Sequence, residues 1–360
     1  MVSLKNNRIL LFVLVCAASA ALATAYGFWA RAGAANRAMS WREITEVDDP
    51  LQLRSVQSRP HVVFINKQPG PGFGRVALVP LDAVDGPRYL TPLQCERMYF
   101  AGDTGICLRA DSALISSYHA ETFDRGFGTR QRVPLQGLPS RTRISPSGGF
   151  GATTVFVRGD SYASGGFSTR TTLMDLAAGR RLFDLEDITF LRDGRPYKQI
   201  DFNYWGVTFA NDPDLFYATL SSGGNVWLIR GSIARREAQM VRDGIECPSL
   251  SPDQRRLVYK ARIGDTQAGW RLHVVALDSL EDTTLAEQRS VDDQATWLDD
   301  DYVVYALRSQ ISGVAAVGGT DLWMARADGS GPARLFMKYA YSPAIVRPIG
   351  ATTATHEIGR

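Results

Sequence analysis

Thr320–Phe336 reads TDLWMARADGSGPARLF. In this stretch an apolar segment that carries one tryptophan runs into the residues Asp-Gly-Ser-Gly, and a second apolar segment follows. Asp-Gly and Ser-Gly dipeptides are typical of tight turns, because glycine adopts the backbone angles that such turns require. The stretch therefore predicts two neighbouring β-strands joined by a turn. Whether this pattern occurs once or repeatedly decides the fold.

Similar segments recur at multiples of about 48 residues. RVALVPLD (Arg75–Asp82) matches RLHVVALD (Arg271–Asp278) at an offset of 196, which is four steps of 49. NVWLIR (Asn225–Arg230) and DLWMAR (Asp321–Arg326) are 96 residues apart, which is two steps of 48. A helix-free unit of this length with about four strands is close to the period of a β-propeller blade. Six such units fit between residues 62 and 339.

The repeat predicts an all-β fold: a six-bladed β-propeller of four-stranded blades over residues 61–348. The third unit is enlarged by an insertion around Arg158–Ser168. YSPAIVRP (Tyr341–Pro348) resembles the start of an inner strand but has no unit of its own. We expect it to pair with the first unit and close the ring, which removes exposed sheet edges. Ser232–Gly244 reads either as a helix or as a fourth strand with its turn.

Five tryptophans recur within these units, and inter-blade packing is their simplest interpretation. They are Trp205, Trp227, Trp270, Trp297 and Trp323.

The amino-acid composition and the net charge indicate a globular protein that does not bind nucleic acid. Of the 360 residues 45% are apolar and 21% are charged, as in an ordinary globular protein that buries a core. The formal net charge is +3, and no dense block of lysine and arginine occurs. These features do not match a nucleic-acid-binding protein, so nucleic acid is not an expected partner.

The N-terminal forty residues form a separate region. A basic lead (residues 1–8) precedes Ile9–Ala30, which has no charged residue and would span ~33 Å as a helix, enough to cross a bilayer core of ~30 Å. A retained signal anchor is one interpretation, and Phe28-Trp29 favours it as an interfacial aromatic pair. The other is a signal peptide cleaved after Ala23-Thr24-Ala25.

Residues 31–60 read as a linker and residues 349–360 as a flexible tail. The propeller is therefore expected outside the cytoplasm, membrane-anchored in the periplasm or at the cell surface, or secreted after cleavage.

Three cysteines lie outside the leader: Cys95, Cys107 and Cys247. Cys95 and Cys107 flank a Gly-Asp-Thr-Gly turn, on the predicted first and second strands of the second unit. An oxidising compartment would permit a disulfide between them, and two reduced, buried cysteines are the alternative. A zinc site is not expected, because no CxxC motif and no nearby histidine accompany them.

Two segments carry a resemblance to a known family. CPSLSPDQRRLVYKAR (Cys247–Arg262) and TDLWMARADGSGPARL (Thr320–Leu335) resemble the PD40 repeat, a WD40-like repeat of the TolB-like propellers. Gln254 stands where that repeat usually has glycine, and Leu298–Asp301 replaces its Ser-Pro-Asp-Gly turn. The resemblance implies a six-bladed propeller and, less directly, an extracytoplasmic binding scaffold in the cell envelope.

No sequence motif for catalysis or for a cofactor is found. The chain has no G-x-S-x-G elbow, the nearest stretch being GDSYA (Gly159–Ala163), and no HExxH. Each of the four histidines is isolated in sequence, and among them His119 has the most functional potential; they are His61, His119, His273 and His356. Three Gly-aromatic stretches are best explained as turns; they are Gly70–Gly74, Asp124–Gly128 and Ser147–Gly151.

An acidic run is the remaining candidate for a site. Asp299–Asp301, with Asp292 and Asp293 upstream, could be a calcium site, since hard cations take clustered carboxylates. An exposed hairpin turn with a polar interblade loop is the simpler interpretation, and no metal is predicted.

Two functions follow from these observations. The first is a non-catalytic, membrane-anchored propeller that binds an envelope protein or a glycan. The alternative is a propeller enzyme or a small-ligand or metal binder with a site in the central channel. A plugged or water-filled polar channel would favour the first function, and convergent carboxylates and a histidine with an ordered metal would favour the second.

Overall fold

The computed structural model describes residues 14–24, 26, 44–111, 117–157, 168–264, 269–309 and 319–348. Residues 14–24 form helix α1, which lies inside the expected anchor and belongs to a different compact unit from the β-sheets. Across these ranges no helix has both the length and the apolar character that a membrane crossing needs. The remainder of Ile9–Ala30, most of the insertion near Arg158 and the GDSYA stretch lie outside the described residues.

The sheets form six blades, as the repeat predicts, and each blade contains four strands in a radial order, to which blades 1 and 4 add further outer strands. The innermost strands of blades 1 to 6 are β27 (Ala340–Val346), β5 (Arg97–Ala101), β9 (Leu138–Ile144), β15 (Asn203–Phe209), β19 (Glu246–Leu250) and β23 (Thr296–Trp297). The second strands are β2 (His61–Asn66), β6 (Thr104–Ala110), β10 (Phe150–Val157), β16 (Leu215–Ser222), β20 (Arg256–Arg262) and β24 (Tyr302–Arg308). The third strands are β3 (Arg75–Pro80), β7 (Tyr118–Asp124), β11 (Ser168–Asp175), β17 (Asn225–Ser232), β21 (Trp270–Ala276) and β25 (Thr320–Arg326). The outer strands are β4 (Arg88–Gln94), β8 (Thr129–Leu135), β12 (Arg180–Asp184), β18 (Glu237–Asp243), β22 (Asp282–Thr284) and β26 (Arg334–Met337).

The six innermost strands form a closed ring. Each contacts the innermost strand of the next blade, and β23 of the last blade contacts β27 of the first. β27 pairs antiparallel with β2, with Asn66 opposite Ala340 and His61 opposite Val346. The C-terminal strand therefore completes blade 1, which confirms the ring closure expected from Tyr341–Pro348.

A buried arginine, Arg88, stabilises the closure of the ring. Arg88 of β4 is 2% exposed, and it donates to the backbone carbonyl oxygen of Tyr339 at 2.7 Å and to that of Lys338. These carbonyls immediately precede β27. Arg88 also donates to Oδ1 of Asn66 at the end of β2 and lies over the ring of Phe64. Burial lowers the pKa of Arg88 to about 10, so the guanidinium is charged at neutral pH.

Part of the expected linker is structured. Within residues 31–60, β1 (Glu46–Val47) adds a parallel fifth strand outside β4, and α2 (Pro50–Gln57) packs against blade 1. Asp49 caps α2 by accepting from the backbone N–H of Leu51, and Leu53 and Val56 are buried. A helix of eight residues is too short to show a reliable apolar period in the sequence.

Blade 4 also extends beyond four strands, and it settles the alternative left open for Ser232–Gly244. That segment contains β18 and its turn, so the strand interpretation is correct. Two short strands, β13 (Thr189–Arg192) and β14 (Arg195–Pro196), continue the sheet outside β18.

The turn Ser251–Gln254, which has glutamine where the PD40 repeat usually has glycine, contains a strained residue. Gln254 has φ 63°, a left-handed conformation that a non-glycine residue adopts at a cost of ~1 kcal/mol. Its side chain offsets part of this cost, because Nε2 donates to the carbonyl oxygen of Ser251 at 3.1 Å. Oε1 accepts from the backbone N–H of Asn211 at 2.8 Å, which links blade 5 to blade 4.

Cys95 and Cys107 are joined by a disulfide, with their Cα atoms 5.4 Å apart. Cys107 lies on β6, and Cys95 lies in the connection two residues before β5. The bond therefore fastens the β4–β5 connection to the second strand of blade 2.

We expect the double substitution Cys95→Ala/Cys107→Ala to lower the free energy of unfolding by about 3 kcal/mol, because it frees a 12-residue loop in the unfolded chain. Urea unfolding of the variant and of the parent protein measures the difference. Reduced parent protein is the control and should match the variant. If both thiols of the untreated protein react with an alkylating reagent, the pair is not oxidised and the expectation is wrong.

A buried carboxyl group lies between blades 3 and 4. The backbone N–H of Thr171 donates to both carboxyl oxygens of Glu186, at 3.2 and 3.3 Å, and the hydroxyl of Thr171 donates to the carbonyl oxygen of Tyr204 at 2.6 Å. Burial raises the pKa of Glu186 to about 8; Asp184 contributes to the rise, while backbone hydrogen bonds and Arg170 oppose it. The folded protein therefore holds this proton at pH 7, whereas the unfolded chain releases it near pH 4.5.

The contribution of Glu186 to stability is fully present below pH 4.5 and is lost as the pH rises towards 8, because the folded state binds the additional proton across this range. Glu186→Gln removes the titration. We expect the variant to gain on the order of 2 kcal/mol relative to the parent between pH 5 and pH 8. Urea unfolding of both proteins at the two pH values gives this difference, and an equal difference at both would mean that Glu186 is ionised in the folded state.

Candidate functional site

The ring encloses a central channel. The innermost strands that line it are not regular, because β-bulges interrupt several of them. Pairing with the second strand is interrupted by a bulge in blades 1, 3, 4 and 5. Gly206, Cys247 and Ser342 lie at these interruptions with positive φ, of 66°, 49° and 52°. At Gly206 a Cβ atom would be 2.6 Å from Cα of Cys247, so β15 and β19 approach too closely for a side chain there. Bulges of this kind redirect side chains and often occur next to binding sites.

The connection from blade 5 to blade 6 enters this channel. Oδ1 of Asp292 is 2.5 Å from Nζ of Lys260 in blade 5 and 3.6 Å from Nη2 of Arg141 in blade 3. Oδ1 of Asp293 is 3.3 Å from Nη1 of Arg97 in blade 2. Basic side chains of blades 2, 3 and 5 therefore form ion pairs with the adjacent residues Asp292 and Asp293.

Two further side chains link the blades within the channel. Arg143 of blade 3 donates to the backbone carbonyls of Gln294 and Ala295, at 3.1 and 2.9 Å, on the opposite side of the six-bladed ring. Nε2 of Gln294 donates to the carbonyl oxygens of Val207 in blade 4 and Pro248 in blade 5, at 3.0 and 2.8 Å. The channel is thus plugged at this level by polar residues of the chain.

Aromatic rings support the cations of the channel. The guanidinium carbon of Arg97 lies 4.4 Å from the ring centre of Tyr341, and that of Arg143 lies 4.4 Å from that of Tyr99. Such contacts favour the charged form of arginine in a partly desolvated site. Burial raises the pKa of Tyr341 to about 12, so its hydroxyl is neutral at physiological pH.

The electrostatics of the channel are dominated by these cations. Burial acts to raise the pKa of Asp292, but Lys260, Arg141 and Arg97 outweigh it and hold the pKa below its usual value. Burial and the charge of Arg97 lower the pKa of Lys67, which follows β2 at the same end of the ring. Asp292 is therefore ionised at neutral pH and paired.

Several buried polar atoms in this cluster lack a protein partner. Among the described residues, Nε of Arg141, Nε of Arg143 and Oε1 of Gln294 are buried and accept or donate no hydrogen bond. Buried polar atoms are usually hydrogen-bonded, so these two N–H donors and one amide oxygen depart from the general rule.

The residues considered in the sequence lie elsewhere. His119 is on β7, where Nε2 is 2.9 Å from Oε1 of Glu121 and Nδ1 is 3.1 Å from Oδ1 of Asp111. His61 begins β2, and Nδ1 of His273 on β21 is 2.7 Å from Oδ1 of Asp282. His356 lies outside the described residues. Of the three Gly-aromatic stretches, Gly70–Gly74 lies in the β2–β3 connection and Asp124–Gly128 runs from the last residue of β7 into the following turn. Ser147–Gly151 runs from a turn into the first two residues of β10.

The acidic run divides into two parts. Oδ1 of Asp299 accepts from the backbone N–H groups of Asp301 and Tyr302, which is the hairpin turn expected as the simpler interpretation. Asp292 and Asp293 bind cationic side chains instead. Over the part of the chain that the structure describes, no three histidine, cysteine, aspartate or glutamate side chains are grouped so that they could hold a metal ion.

The sequence did not single out the cations of the channel. Arg97, Arg141, Arg143 and Lys260 are scattered over 164 positions and share no local motif. Only the expectation that inner-strand ends converge on the axis could have indicated them.

The fold resembles those of known propellers. The chain is similar to the crystal structure of TolB from Acinetobacter baumannii, with a TM-score of 0.54 and 14% sequence identity over 79% of this chain and 66% of that chain. It is also similar to the structure of a nidogen/laminin complex, with a TM-score of 0.51 and 11% identity over 79% of this chain and 98% of that chain. No protein-family model and no curated protein sequence matches the chain. At these identities the likeness confirms the TolB-like propeller fold and does not extend to function.

Proposed function

We propose that this protein is a non-catalytic, extracytoplasmic β-propeller, anchored to the membrane through residues 9–30, that serves as a binding scaffold for a protein or glycan of the cell envelope. The observation that supports the proposal most is the plugged channel. Arg143 and Gln294 extend into the channel and bond to backbone carbonyls of other parts of the ring, so the loops at the ends of the ring are the surfaces left for a large partner.

One end of the ring is the better candidate for this surface. The innermost strands begin at this end, and because neighbouring strands are antiparallel, the connections between second and third strands lie there too. We call it the upper end. The acidic pair Asp292 and Asp293 also lies in an upper-end connection, before β23. In the β2–β3 loop the exposed residues Pro69, Gly70 and Pro71 project from this end.

The likeness in fold agrees with a binding role without establishing one. One similar structure is that of a nidogen/laminin complex, in which a propeller of this fold occurs in a complex of two proteins. Propellers of one fold carry unrelated functions, so this support is associational.

Crosslinking in living cells tests the proposal. The tagged, full-length protein is crosslinked, membranes are isolated, and attached proteins are identified by mass spectrometry. We expect one envelope protein or glycoconjugate to be captured reproducibly. Pro69→Glu/Pro71→Glu adds two carboxylates at the upper end and should reduce its capture several-fold.

A matched variant controls for added charge. Asn211→Glu/Ala234→Glu adds two carboxylates at exposed turns of blade 4 at the opposite end of the ring and should leave capture unchanged. Equal loss in both variants would show that the upper end is not the binding surface. Capture of no specific partner by the parent protein would contradict the scaffold role.

A further inference from the structure

We propose that the central channel binds an oxyanion, a carboxylate or phosphate group of a small ligand, between Arg97, Arg141 and Lys260. This site is independent of the scaffold role, which concerns a large partner on the loops. A single geometric fact motivates it: cations from three blades converge on one exposed carboxylate of the chain, that of Asp292.

The charge balance of the channel favours an added anion. Five cations lie in or beside it, and they are Lys67, Arg97, Arg141, Arg143 and Lys260. Three carboxylates oppose them: those of Asp292, Asp293 and Glu96. Glu246 does not alter this balance, because Nε of Arg262 binds its Oε1 at 2.8 Å. The surplus of positive charge therefore lies inside a partly desolvated site, where electrostatic attraction is stronger than in water.

The donors of Arg141 are not saturated. Its nearest carboxylate oxygen is 3.6 Å away, beyond the 2.7–3.2 Å range of an N–H···O hydrogen bond, and its Nε has no protein partner among the described residues. A guanidinium offers five N–H donors. Arg143, which is 9% exposed, also has an unpartnered Nε. These donors need acceptors, which an oxyanion supplies and a cation does not.

The site is also reachable from water. The side chain of Asp292 is 60% exposed, whereas that of its partner Lys260 is 5% exposed. Asp292 is therefore the solvent-exposed member of the cluster, and Lys260 lies beneath its carboxylate. An oxyanion that enters beside Asp292 meets the Lys260 ammonium and the planar fork of Arg141, and this geometry suits carboxylate and phosphate groups.

Titration of the purified full-length protein with inorganic phosphate and with citrate, at constant ionic strength, tests the site by calorimetry. We expect saturable binding of at least one probe. Arg141→Met should weaken it roughly tenfold or more, since it removes a charge-assisted donor pair. Asp292→Asn should tighten it, because it removes the carboxylate that competes for the same cations.

Arg195→Met, on the exposed strand β14, makes the same charge change away from the channel and should bind like the parent. Binding of phosphate alone would indicate a phosphate ester as the natural group, and binding of citrate alone a carboxylate. The proposal is overturned if neither probe binds up to about 20 mM, or if Arg141→Met and Arg195→Met weaken binding equally. If Arg141→Met does not fold, the Asp292→Asn variant is the test. Weaker or unchanged anion binding by Asp292→Asn would then contradict the proposed site.

Discussion

A chain that ends after Tyr339 is expected to lose its cooperative unfolding transition, because this truncation removes β27. This strand forms the innermost position of blade 1 and contacts the innermost strands of blades 2 and 6. Every residue of β2 is buried, and Val62–Ile65 are apolar, so the loss exposes a largely apolar edge strand with unpaired backbone groups. The effect reaches the whole ring, because blades 1, 2 and 6 all lose contacts with this strand and the ring is then no longer closed.

Thermal unfolding followed by circular dichroism measures this effect. A chain that ends after Pro348 retains all of β27 and is the matched control, and we expect its midpoint to lie within about 3 °C of that of the parent protein. Equal transitions in the two truncated chains would show that the ring does not depend on its C-terminal strand.

A point substitution tests the same junction without shortening the chain. Ala344 of β27 has no exposed surface, so Ala344→Asp buries a carboxylate beside apolar residues of blade 1. We expect a loss of ~3 kcal/mol or more in the free energy of unfolding. Ser342, on the same strand, is not a suitable control because its hydroxyl bonds to the backbone of Met98.

Arg88→Leu is expected to lower the free energy of unfolding by about 3 kcal/mol or more. The substitution leaves the carbonyl oxygens of Lys338 and Tyr339 and the side chain of Asn66 without their shared donor. Leucine also lacks the length to reach across the sheet, and the apolar contact with Phe64 does not replace a charged hydrogen-bond donor. The carbonyl oxygen of Tyr339 still accepts from the backbone N–H of Lys67, and Oδ1 of Asn66 still accepts from that of Gln68. The cost therefore comes from the lost charge-assisted hydrogen bonds and from the carbonyl oxygen of Lys338, which loses the guanidinium.

Urea unfolding of Arg88→Leu and of Arg195→Leu separates this effect from a general change of charge. Arg195 is exposed on β14, so its substitution should change stability by less than about 0.5 kcal/mol. Similar losses in both variants would mean that Arg88 does not fasten the ring. A larger loss in Arg88→Lys than in Arg195→Lys would further show that the planar fork is needed.

The repeat in the sequence was sufficient to predict the blades. A period of about 48 residues, the Asp-Gly turns and the unpaired start at Tyr341–Pro348 together predicted six four-stranded units and their closure. These features are local, because a strand needs alternating or apolar residues and a turn needs glycine, proline or aspartate within a few positions. The same reasoning correctly interpreted Asp299–Asp301 as a turn.

Only the tertiary structure determined which side chains meet in the channel and that Arg88 stabilises the closure of the ring. Arg97, Arg141 and Asp292 meet because the start of an innermost strand lies near the axis in every blade, whatever its distance along the chain. Arg88 has no distinguishing feature in the sequence of its outer strand, and only the meeting of blades 1 and 6 brings the carbonyl oxygens of Lys338 and Tyr339 to it. Local sequence determines strands and turns, whereas the partners of a buried charge depend on the closure of the whole ring.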